Sequence, residues 1–175
     1  LTKSTSRGWC YSLLAWCCIG LAGCGYWQST KDFVTRPSDL EKLSRKDWLV
    51  EIDTRADGLY IIMPTDHLFE PNEPMIRSHI YNDLNRVAHA IMASQWQILS
   101  IQVYADDKGS PLDAQKLSSD RADVLAHALV LYGLDRNRIE WDGYGQREPR
   151  ADNITPKGRR TNRRAVLILK GYEER

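Results

Sequence analysis

The apolar positions change period along the chain, and those changes mark out its elements. Trp48-Leu49-Val50-Glu51-Ile52 and Leu59-Tyr60-Ile61-Ile62-Met63 are short β-branched or aromatic runs separated by Ala56-Asp57-Gly58, which predicts a hairpin. Pro64 to Pro74 reads as a loop. From Met75 to Ser94, Ile76, Ile80, Leu84, Val87, Ala88 and Ile91 recur at steps of three and four, the spacing of an amphipathic helix. Gln97 to Tyr104 alternates, with Leu99, Ile101 and Val103 on one face, as a strand should. A second helix is expected from Leu112 to Tyr132, its stripe made by Leu117, Val124, Leu125, Ala128 and Leu129, with Gly133 as its stop. Arg138 to Trp141 reads as a short strand and Gly143-Tyr144-Gly145 as a turn. After a polar loop, Ala165 to Leu169 is continuously apolar, the mark of an interior strand.

The order β-β-α-β-α-β-β buries two helical stripes most economically if both helices lie on one side of a mixed sheet. The expected fold class is therefore an α/β (α+β) sandwich, a mixed sheet with two main helices on one face, occupying residues 47–175. Ahead of it, Gly25 to Lys46 is polar and aperiodic and reads as a flexible tether. At full extension about 22 residues reach roughly 70 Å. Further upstream, Lys3 and Arg7 precede an apolar run from Trp9 to Ala22 that ends in small residues, the pattern of an export signal. The run is about 14 residues long, short of the roughly 20 that a spanning helix needs. Leu21-Ala22-Gly23-Cys24 resembles the bacterial lipobox, which implies removal of residues 1–23 and acylation of Cys24. Gly25 and Tyr26 stand where an inner-membrane retention signal would place Asp, so the expected destination is the periplasmic face of the outer membrane.

Composition narrows the chemistry. All four cysteines (Cys10, Cys17, Cys18, Cys24) fall within the first 24 of 175 residues, so the domain is expected to hold without disulfides or Cys-ligated metal. A net charge of +1 supplies no field to recruit nucleic acid, and no nucleic-acid partner is expected. His67, His79, His89 and His127 lack metal-ligand spacing, and Ser118 and Ser119 lack a recognisable His-Asp arrangement. The basic run Lys157, Arg159, Arg160, Arg163 and Arg164 reads as a solvated loop and strand edge. These features predict a binding module with no cofactor and no enzymatic activity.

The segment from Asp106 to Arg121 carries the sharper signal. An acidic turn leads through Gly109-Ser110-Pro111 into a helix and ends in a guanidinium that the turn can bring back to the carboxylate. Asp106 can accept from an ammonium, and Arg121 can fork onto a carboxylate, so the pair suits a zwitterion. In an empty site the two side chains are expected to pair or stay hydrated.

Six stretches in register carry a family resemblance: His67-Leu68-Phe69-Glu70-Pro71-Asn72, Val103-Tyr104-Ala105-Asp106, Leu117-Ser118-Ser119-Asp120-Arg121-Ala122, Gly143-Tyr144-Gly145 with Pro149, Asn153 with Gly158-Arg159, and Asn162-Arg163-Arg164. From roughly Leu59 to Lys170 the chain resembles the C-terminal domain of the OmpA family, which includes the peptidoglycan-associated lipoproteins. The resemblance implies a βαβαβ core that holds peptidoglycan non-covalently by the free end of meso-diaminopimelate in the stem peptide. It assigns Asp106 to the ammonium, Arg121 to the carboxylate and Leu117 to the aliphatic part. Asn72 is expected to wall the cleft, and Phe69 either joins it or, as its apolar ring favours, belongs to the core; Asn162 and Arg163 either touch the ligand or tie the last strand to the loops. The implied partners are the stem peptide, the outer membrane through the lipid, and proteins of an envelope or secretion complex. The chain also departs from the family. Gly-His-Thr becomes Val103-Tyr104-Ala105, and Ala114 stands where the family often has Asn. Those changes favour the alternative, a structural subunit of a type IVB secretion machine with a relaxed peptidoglycan site.

Overall fold

The computed structural model describes residues 50–171. The expected leader, Cys24 and the tether lie outside the described residues. Five strands form one sheet: β1 (Glu51–Arg55), β2 (Gly58–Pro64), β3 (Ile98–Tyr104), β4 (Ile139–Gly145) and β5 (Arg164–Lys170), in the spatial order β1-β2-β5-β3-β4. Only β3 and β4 run parallel; the other three pairings are antiparallel. The helices are α1 (Thr65–Leu68), α2 (Tyr81–Ala93), α3 (Pro111–Leu131) and α4 (Pro156–Asn162), with 3-10 turns at Ser78–Ile80 and Arg136–Arg138.

The alternation of strand side chains sorts them into two faces. Leu59, Ile61 and Met63 from β2, Leu99, Ile101 and Val103 from β3, and Ala165, Leu167 and Leu169 from β5 share one core with the helices. Leu84, Val87 and Ile91 of α2 and Leu125 and Leu129 of α3 close that core from above. The predicted sandwich, with two main helices on one face of a mixed sheet, is thus the observed architecture. On the sheet's other face, Ile62, Tyr104, Val166 and Ile168 make a smaller cluster edged by Tyr60 and Tyr144.

Five local expectations need correction. β1 runs from Glu51 to Arg55, three residues later than its apolar run, because its partner β2 sets the register from Arg55↔Gly58 back to Glu51↔Ile62. The first long helix starts at Tyr81 rather than Met75, after the 3-10 turn. The stretch read as a loop after β2 contains the single turn α1. Gly143-Tyr144-Gly145 is no turn but the end of β4. Glycine is required there by proximity: a Cβ on Gly143 would lie 2.1 Å from the Ser119 amide nitrogen. That closeness lets α3 lock onto β4. Ser118 Oγ accepts from the Gly145 amide at 2.9 Å, and Gln115 Nε2 donates to the Gly143 carbonyl at 2.6 Å.

The polar loop before β5 also contains a helix. Thr155 caps α4 by accepting from the Gly158 amide at 3.0 Å, and Pro156 occupies its first turn, where no backbone donor is needed. Gly158 is forced by crowding, since a Cβ would meet the Asp152 carbonyl oxygen at 1.8 Å.

Candidate ligand cleft

The end of the sheet where β2 and β3 finish and β5 begins opens into a cleft of about 830 Å³. Its geometry is set by how each element stops. β3 shifts register against β4 at Val103/Tyr104, so that Tyr104 pairs with Gly145 and Tyr144 is left over as a bulge. A bulge bends its strand and re-aims neighbouring side chains. Here the Ala105 amide donates to the Gly145 carbonyl at 2.7 Å, and the next residue, Asp106, enters the cleft with 7% of its surface exposed. Ser110 then caps α3 through the Asp113 amide at 3.1 Å, with Pro111 at the first helical position. That start fixes the rotation of α3. Ala114, Leu117 and Arg121, at three- and four-residue steps, all face the cleft.

Arg121 is buried, with 8% of its surface exposed. Its Nε donates to the Glu73 carbonyl at 3.0 Å and its Nη2 to the Glu70 carbonyl at 3.2 Å. The guanidinium carbon lies 5.0 Å from the centre of the Phe69 ring. No ion pair joins Arg121 to a carboxylate among the described residues. Burial accordingly pushes its pKa down, against the opposing pull of Asp66, while Arg163 adds a further downward push. A desolvated guanidinium held only by neutral carbonyls at the wall of an open cleft is prepared for an anion.

Asp106 and Arg121 are not paired with each other. Asp106 Oδ2 instead receives Arg163 Nη1 at 2.6 Å, and its Oδ1 accepts the Lys108 amide at 3.2 Å. Arg163 is held from its other side by Asp66, with Nε to Oδ1 at 2.7 Å and Nη2 to Oδ2 at 2.5 Å. This fork depresses the pKa of Asp66 and raises that of Arg163. Sequence reasoning missed Asp66 altogether. Its partner lies 97 residues away, a separation at which no local spacing is informative.

The other expected residues divide. Leu117 belongs to the cleft wall and not to the core stripe of α3. Asn72 is exposed, lines the cleft and holds a left-handed backbone, φ 57°, in the loop between α1 and α2. Phe69 does double duty, 1% exposed in the core and also among the residues that line the cleft. Asn162 is not brought to the cleft. It is fully buried, and its carboxamide accepts the amides of Arg150 and Ala151 at 2.8 and 2.9 Å and donates to the Ala151 carbonyl and Asn153 Oδ1 at 2.8 and 2.7 Å. With those four bonds its side chain is a brace for the loop before α4. The basic run, expected to be solvated, is split likewise: Arg163 lines the cleft, while Arg164 is buried on the far face of the sheet. Among the described residues no cluster of three metal-ligating side chains exists.

A five-stranded mixed sheet with a charged cleft at this end is the architecture of an OmpA-like domain. The OmpA family model matches residues 68–163, more than half of the chain, and the chain belongs to that family. It is similar to the probable lipoprotein YiaD of Escherichia coli K12, 29% identical over 120 residues that cover 69% of this chain and 55% of that protein. It is similar also to the outer-membrane lipoprotein YfiB of Pseudomonas aeruginosa, 30% identical with 86% of each covered. The peptidoglycan-binding protein ArfA of Mycobacterium tuberculosis is 37% identical over 89 residues, 51% of this chain and 27% of that protein. Among solved structures, the cell wall anchor of the Pseudomonas aeruginosa T6SS has the same fold, with a TM-score of 0.65 and 24% identity over 79% of this chain and 95% of that one.

Proposed function

We propose that this chain is an envelope lipoprotein that grips peptidoglycan non-covalently through the free end of meso-diaminopimelate, tying the outer membrane or an envelope complex to the wall. The observation that carries the reading is Arg121: a buried guanidinium lacking a carboxylate partner, in the same open cleft as the Asp106 carboxylate. The ligand's carboxylate completes Arg121, and its ammonium joins Arg163 on Asp106. The half-buried Leu117 and the neighbouring Phe69 offer apolar contact to the methylenes between them. The kinship with a peptidoglycan-binding protein and with two lipoproteins supports the same reading. Nothing in this scheme makes or breaks a covalent bond. In the cell, acylated Cys24 and the tether confine the domain near the wall, so a weak single-site grip suffices.

Sedimentation of the full chain with insoluble peptidoglycan tests this. Charge-assisted hydrogen bonds are worth about 1.5–3 kcal/mol each, so Asp106→Ala and Arg121→Ala should each lower binding by at least about tenfold. Arg121→Lys keeps the charge but loses the fork and should fall between. Retention of all three variants at wild-type levels, or failure of the unaltered chain to sediment, overturns the proposal.

A further inference from the structure

The cationic side chains that line the cleft are Arg77, Lys108, Lys116, Arg121 and Arg163. Arg77 meets Glu70 at 3.5 Å, Lys116 meets Asp120 at 2.6 Å, and Arg163 is shared between Asp66 and Asp106. Asp113, the remaining lining carboxylate, accepts the Ser110 hydroxyl at 2.7 Å. Lys108 and Arg121 are left with no carboxylate partner among the described residues. The reading above uses Arg121 and gives Lys108 nothing to do.

Lys108 is placed by the same turn that presents Asp106. Its backbone amide donates to Asp106 Oδ1 at 3.2 Å, so its side chain starts beside that carboxylate, just ahead of α3. The side chain is exposed, and its position is not fixed by packing. Arg121 sits further down the same helix, a rise of about 10 Å beyond Ala114. Ala105, Ala114 and Leu117 also line the cleft and carry no polar side-chain atom.

We propose that Lys108 is a specificity-determining residue of the cleft, which takes the C-terminal carboxylate of a stem peptide that ends at diaminopimelate. This rests on the reading above, in which Asp106 and Arg121 hold the free end of that residue. The methylenes then run past Leu117 and Ala114 towards the start of α3, and the linked end brings its own carboxylate within reach of the Lys108 arm. A compact ammonium on a rotatable stem suits a carboxylate that no buried wall holds in place. Amidation of that carboxylate removes the charge and the contact with it, while the grip on the free end stays.

Calorimetric titration of the full chain with L-alanyl-γ-D-glutamyl-meso-diaminopimelate, and with the same peptide carrying a carboxamide at its C-terminus, tests this. The unaltered chain should bind the acid about threefold more tightly than the amide, the worth of an exposed ion pair. Lys108→Met keeps the backbone amide that supports Asp106 and replaces an exposed side chain, so it should fold normally. It should bind both peptides alike, at the strength the unaltered chain shows for the amide. Arg121→Ala should weaken both peptides at least about tenfold. Equal binding of acid and amide by the unaltered chain, or a preference that survives in Lys108→Met, would overturn the role of Lys108 while the Arg121→Ala loss still upheld the cleft. Failure of either peptide to bind, or indifference to Arg121→Ala, would remove both.

Discussion

Arg163 stands between two carboxylates and divides its donors unequally: two go to Asp66 and one to Asp106. The unequal split matters, because a guanidinium forked onto Asp106 would leave less of that carboxylate for an incoming ammonium. On the proposed reading, Asp66 thus governs how much of Asp106 stays available to the ligand. It also ties stability to pH. The folded pKa of Asp66 lies below its ordinary value of 3.8, so its contribution is fully present above that value and is lost as pH falls through the lowered one. Asp66→Asn should cost about 1 kcal/mol or less at neutral pH, since the pair is half-exposed, and should flatten the acid limb of stability. Urea unfolding of both proteins at neutral and strongly acidic pH checks it; an unchanged acid limb in the variant counts against the pairing. At this scale the sequence displayed the cleft-facing groups Asp106 and Arg121 through their motifs. It hid the contacts that aim them, because Arg163–Asp66 and the Arg121–carbonyl bonds join segments far apart in the chain.

At the scale of elements, legibility tracked length. α2 and α3 each turn several times over the core, so their apolar periods stand out; α4 has 7 residues, too few for a period to register. Its readable signal was the Thr155-Pro156 step, a capping residue before a first-turn proline. The end of β4 was misread because two glycines in three residues resemble a turn, whereas one of them exists to admit a helix. Gly143→Ala tests that account. Its Cβ would meet the α3 backbone, so α3 must retreat, at a cost of about 1–3 kcal/mol from overpacking. Since Leu117 and Arg121 ride on α3, peptidoglycan sedimentation should weaken along with the melting temperature. A stable variant that binds normally would show that the helix is not seated through this contact.

For the whole molecule, the proposed function needs two attachments, the cleft and an acylated Cys24. Under the lipoprotein reading, Cys24→Ser should move the chain out of the membrane fraction while leaving peptidoglycan sedimentation intact. Fractionation of expressing cells tests it, and continued membrane association would dismiss Cys24 as the anchor. The class of fold was legible because hydrophobic period and chain order leave few alternatives. Strand order was not, since it depends on which edges meet.

The pairing of Glu51 with Ile62 puts the start of β1 at the same end of the sheet as Asp66 and the cleft. A pull between membrane and wall would therefore enter and leave the domain at one end, turning the strands crosswise to the tension. Under such loading an edge strand peels from its neighbour rung by rung rather than sliding in shear. β1 has only β2 as a neighbour in the sheet, is tied further by the Glu51–Arg150 ion pair, and contributes no residue to the cleft. Under the proposed anchoring, the strand expected to yield first is β1, lengthening the connection while the cleft keeps its hold on the wall.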